Sequence, residues 1–141
     1  MQNVWIQRIA LLSLFILADY LVTLLLAAHP SEEGNTFARD FMTIFGVAGG
    51  LTFFSIIVNA PIYLILGFLA LYPQRSGFTK LPFAMPSLDI AFAWFVAGTH
   101  FSGALSWIAS GPSLLYQLTG AVLYLDMLFL VSTKSRRTNA F

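Results

Sequence analysis

Four apolar runs limit what this chain can become: Trp5 to Ala28, Phe41 to Tyr72, Leu88 to Ala109 and Pro112 to Val131. Each offers roughly the 20 residues a helix needs to cross a hydrocarbon core about 30 Å thick. Hydrophobic residues make up 58% of the 141 residues and charged ones 9%, where a soluble domain carries about 25% charged. The solvent these side chains match is lipid. The expected architecture is an all-α, four-helix transmembrane bundle forming a single domain over residues 1–141.

The placement of basic residues sets an expected topology. Arg8, Arg75, Lys80, Lys134, Arg136 and Arg137 fall at the N-terminus, in the middle loop and in the tail, which share one side of a four-span chain. Arg39 lies on the other side among Glu32, Glu33 and Asp40. The lysine and arginine bias therefore predicts both termini in the cytoplasm, with the cell membrane as the expected location. The first run exceeds the usual 7 to 15 residues of a signal h-region and contains Asp19, so it reads as a span and not as a cleaved signal. With no cysteine, disulfides and thiolate metal sites are excluded. Two basic residues in the middle loop are too few for a nucleic-acid surface, and no nucleic-acid partner is expected.

Within the runs, polar residues recur at helical intervals. Arg8 and Asp19, eleven residues apart, fall near one face of the first span, with Thr23 one turn further. Trp5 reads as an interfacial anchor and Arg8 as a side chain reaching the cytoplasmic headgroups. A carboxylate near the bilayer middle costs at least about 2.5 to 3.5 kcal/mol, so Asp19 requires a partner. In the second span, Thr52, Ser55, Asn59 and Tyr63 form a polar stripe, Gly46 and Gly50 a GxxxG pair suited to close helix packing, and Pro61 the expected kink. The third span places Asp89 and His100 eleven residues apart and lines up Gly98, Ser102 and Ser106 as a small-residue seam. Thr119 and Asp126 share a face of the fourth.

Counting 1.5 Å per residue from the outer ends puts Asp19 and His100 about 13 Å deep and Thr52 about 14 Å, with Asp126 and Asn59 deeper at about 20 and 24 Å. Asp19 and His100 can therefore form an acid/base pair beside a polar cavity lined by Thr23, Thr52 and Ser55 and open to the outside. The same groups can equally satisfy one another as interhelical hydrogen bonds. Asn59 and Asp126 form a second, deeper level and are candidates to pair with each other.

The exterior loop brings His29, Glu32 and Glu33 together, but at no zinc-motif spacing, so no metal is expected. His100-Phe101-Ser102-Gly103 faintly resembles the histidine helix of rhomboid proteases, yet no Gly-x-Ser-Gly nucleophile segment accompanies it. A broader likeness rests on Asp19 and Thr23 in the first span followed by Glu33, Asn35 and Arg39 outside. This resembles a family of small bacterial and archaeal polytopic membrane proteins of unknown function, whose pattern is Asp-x3-Thr and then Glu-x-Asn-Pro. Here Thr36 stands where the family has proline. The resemblance implies a polytopic membrane domain and attaches interest to those residues without implying a reaction or a cofactor.

Two functions fit the sequence. The first is a small subunit or accessory protein of a membrane complex, packing on a membrane-protein partner or a second copy through its Gly/Ser seams and holding lipid on its aromatic surface. The alternative is a membrane-embedded enzyme or small transporter using Asp19 and His100.

Overall fold

Helix α1 (Val4–Leu26) leads through a short 3-10 turn, Pro30–Glu32, into α2 (Thr36–Phe45) and then α3 (Val47–Leu71). The third apolar run is α4 (Ala84–Phe92), a π-helical turn (Ala93–Gly98) and α5 (Thr99–Ser106), and α6 (Ser113–Thr138) closes the chain. The computed structural model describes residues 4–71 and 83–138. Arg75 and Lys80, counted toward the topology, lie outside the described residues. The described part is helical with no strand, and four stretches are long and apolar enough to cross a membrane: Trp5–Leu26, Val47–Ala70, Ala84–Ser106 and Ser113–Thr133.

The second run is not one helix. Its first residues belong to α2, and the break falls at Gly46, whose φ of 78° is open to glycine and strained for any residue with a Cβ. This corrects the reading of Gly46 and Gly50 as one interhelical GxxxG seam. Gly46 is the turn, with open space around it, whereas a Cβ on Gly50 would strike the backbone of Phe41 and Met42. The bare Gly50 lets α2 fold back onto α3, burying Ala38 and Met42 and leaving Phe37 and Ile44 exposed. Asn35 starts α2 by accepting from the amides of Phe37 (3.0 Å) and Ala38 (3.3 Å), satisfying donors that a helix start otherwise leaves open. Pro61, the expected kink, sits on an exposed face inside a helix that continues through it.

The core forms where α1 meets α6 and the third span, around Leu12, Phe15, Val96, Ala97 and Tyr124. Gly98 provides close approach here, since a Cβ would meet the Gln117 carbonyl at 2.5 Å, and a Cβ on Gly120 would strike Phe101. Ser102 donates to the Ser113 carbonyl at 3.1 Å, tying α5 to the start of α6. Within the π-helical turn, the carbonyl of Trp94 accepts from Gln117 Nε2 at 3.1 Å. Ser106 is exposed and bonds back to Gly103 of its own helix.

Trp5 and Arg8 depart from the interfacial roles read for them. Trp5 is buried in the core, and Arg8, 4% exposed, forms a two-point ion pair with Asp89, Nε to Oδ1 and Nη2 to Oδ2 each at 2.6 Å. Such fork-to-fork geometry is the strong form of the arginine–carboxylate contact. The Arg8 guanidinium also lies 5.1 Å from the Trp5 ring centroid, where the ring face attracts a cation. A group with these partners has no need to reach the headgroups.

α3 is held differently from the other long helices. It packs along α1 and against α2 but not along α4, α5 or α6. Ser13–Tyr63 and Tyr20–Thr52 hydroxyl pairs, each 2.8 Å, tie it to α1 in antiparallel register. A cleft therefore remains between α3 and the third span.

Candidate functional site

Three helices meet in that cleft. Asp19 comes from α1, Asn59 from α3 and His100 from the first turn of α5, directly after the π-helical turn. His100 Nδ1 lies 2.8 Å from Asp19 Oδ2, and His100 Nε2 lies 3.1 Å from Asn59 Oδ1. The Asn59 amide is oriented by its own donation, from Nδ2 to the Ser55 carbonyl at 2.9 Å. Its oxygen must then be the atom facing His100, so His100 Nε2 carries a hydrogen. On the other side Nδ1 faces the Asp19 carboxylate across that 2.8 Å contact.

Asn59 was expected about 11 Å deeper than Asp19 and His100, as a candidate partner of Asp126. Because α3 starts at Val47 and not at Phe41, Asn59 lies six residues closer to the outer end, about 9 Å, which brings it level with Asp19 and His100. Asp126 is exposed on α6 and lines no part of the cleft. Thr52 is likewise outside it, bonded to Tyr20 and to the Ala48 carbonyl. Thr23 and Ser55 do line it.

A cavity of about 760 Å³ occupies the cleft, with Asp19, Asn59 and His100 in its wall. Glu32, Glu33, Gly34 and Asn35, between α1 and α2, also line it, so this loop and the pair within the helices belong to one cavity. The rim holds its shape through its own bonds. Glu32 Oε2 accepts from the amides of Ala28 (2.8 Å) and His29 (3.2 Å), and Glu33 Oε1 from Asn35 N (2.8 Å). Arg39 donates through Nε to the Glu33 carbonyl at 3.0 Å. The backbone bonds from His29 and Ala28 hold the Glu32 carboxyl below its ordinary pKa, because both stabilise the charged form. The lowered value means that these bonds support the rim at neutral pH and are lost as acid protonates Glu32.

Gly103 entered the sequence reading only through the faint likeness to the rhomboid histidine helix, and its role here is a different one. A Cβ at this position would lie 2.5 Å from Asp19 Oδ1, so the carboxylate reaches α5 because position 103 is bare. The signal was its position one helical turn after His100, on the same face. Among the described residues there is no cluster of three or more metal-ligating side chains.

The fold and cavity together define the class: an all-helical chain with four helices long and apolar enough to span a membrane, around a cleft with a histidine bridging three helices. No protein family, curated protein or solved structure matches it in comparison.

Proposed function

We propose that this chain is a multi-pass membrane protein, both termini cytoplasmic, that retains a small molecule in the cleft between α3 and the third span, with Asp19, His100 and Asn59 as its polar anchor. One observation carries the reading. Three helices deliver three mutually bonded side chains to the wall of a 760 Å³ space, within the range of small-molecule pockets. Interhelical bonds that served packing alone would need no space beside them. Of the residues that carry the resemblance to a family of small membrane proteins, Asp19, Thr23, Glu33 and Asn35 line this space and Arg39 does not. The Gly/Ser seams that suggested a partner are in contrast used inside the chain, at Gly50, Gly98 and Ser102.

Native mass spectrometry of the protein extracted in mild detergent tests the reading. The wild type is expected to carry a bound mass that His100→Ala and Asn59→Ala lose at unchanged helical content. A wild type without adduct, or variants that retain it, would count against the anchor. For topology, a cysteine placed by Ser135→Cys should resist an impermeant label applied to intact cells, and labelling from outside would reverse the orientation.

A second reading, as a subunit of a membrane complex or a homo-oligomer, is favoured by Asp126. Its carboxylate is exposed on α6 among exposed Val122, Leu123, Leu125, Phe129 and Leu130, with no partner among the described residues. Within a bilayer that placement costs about 2.5 to 3.5 kcal/mol unless another chain covers it.

A further inference from the structure

The cleft has a wall facing outward as well as a polar anchor. It is lined along α3 from Leu51 to Ile62 and along the third span from Phe95 to Trp107, each about 16 to 18 Å of helix. Of these lining side chains Phe95 is 71% exposed and Val58 44%, so the inner part of the cleft is apolar and opens sideways between the two helices. Its outer part ends at the acidic rim of Glu32 and Glu33.

Thr23 is the unexplained polar group in this space. It lies in the wall, 4% exposed, and its hydroxyl makes no hydrogen bond to any described residue. Thr43, Thr52, Thr99, Thr119 and Thr133 each donate to a carbonyl three or four residues earlier on their own helix. The Thr23 hydroxyl is not sealed off in the protein, so its hydrogen-bonding capacity is open toward the cavity. One turn before it, Asp19 Oδ1 is also without a hydrogen bond to a described residue, its fellow oxygen being taken by His100.

We infer that the cleft takes a single-chain amphiphile entering from the side, whose hydroxyl or amine head donates to Asp19 Oδ1 and meets the Thr23 hydroxyl while its chain lies between α3 and the third span. This rests on the membrane reading above and names the class of molecule the anchor holds. Charge selects the head. His100 is already held by Asp19, Arg39 is bonded to the loop, and Glu32 and Glu33 stand at the rim. An anionic head would meet carboxylates with no free cation lining the cavity among the described residues, whereas a donor head finds acceptors. A chain of modest bulk matches the 760 Å³ available.

Trp107 lines the cavity and can report occupancy. The experiment uses the full chain in phosphatidylcholine nanodiscs with Trp5→Phe and Trp94→Phe, titrated with mid-chain-brominated stearyl amine, stearyl alcohol and stearate. Saturable quenching by the amine and the alcohol is expected at concentrations at least about tenfold below any effect of stearate. Thr23→Val should raise the half-saturation for both by about fivefold, the loss of roughly one hydrogen bond, and Thr23→Ser should restore it. Equal quenching by all three heads, or a Thr23→Val protein that titrates like its parent, overturns the inference. If native mass spectrometry finds a water-soluble adduct that depends on His100 while none of the three amphiphiles quenches, the amphiphile is wrong and the anchor stands. If neither an adduct nor quenching is found, both fail.

Discussion

Arg8→Ala is expected to cost up to about 3 kcal/mol of stability, because it leaves the part-buried Asp89 carboxylate, 17% exposed, without its two 2.6 Å bonds. Unfolding by a denaturing detergent, followed by helical circular dichroism, would read this as a large drop in midpoint. Asp89→Ala should behave alike, since it leaves a guanidinium buried at 4% exposure. The diagnostic variant is the double replacement Arg8→Met with Asp89→Leu. Removing both charges together removes the desolvation problem as well as the attraction, and should recover most of the loss. A double variant as unstable as the singles would mean that the helices are held by Arg8 through contacts other than this pair, the Trp5 ring among them.

The second large effect is expected at a residue that carries no functional group. Gly103→Val leaves Asp19, His100 and Asn59 in place chemically but puts a branched side chain where Asp19 Oδ1 now lies. The side chain must turn away, and the hydrogen bond to His100 is lost, at about 0.5 to 1.5 kcal/mol for an uncharged bond and more for a charged one. Retention of the bound molecule should fall at least tenfold. Gly67→Ala is the matched control, because a Cβ at that position meets nothing within 4 Å. If Gly103→Val retains the molecule as well as the control does, the geometry of Asp19 has been misjudged.

The long helices were legible because hydropathy alone marks spans of about 20 residues. What hydropathy cannot mark is a turn made of apolar residues. Phe41 to Tyr72 reads as one run on both sides of Gly46, and the local chemistry of the turn is a single positive φ, which composition does not register. That one break displaced the depth of Asn59 and assigned it to the wrong neighbour. Pro61 drew attention to the middle of the run, yet α3 continues through it and the interruption lies at Gly46. Periodicity did place Asp19 and His100 at one level, but it could not pair Arg8 with Asp89. Helical phase tells which residues of one helix share a face, and says nothing about which helices face each other. Thr23 is a similar case: its importance comes from a bond it fails to make, which no sequence pattern encodes.

The two polar pairs between α1 and the third span share one offset. Arg8 meets Asp89 and Asp19 meets His100, each 81 residues away in the chain, with the basic and acidic side chains exchanged between the two levels. Before the third span is in place, α1 presents one basic and one acidic group with neither partner available, each expensive in a hydrocarbon setting. The third helix supplies both partners at once, and only in a parallel arrangement at the correct height. A slide by a single helical turn would leave four polar groups unmatched. The two levels therefore fix the direction and the height of the third helix on α1 together.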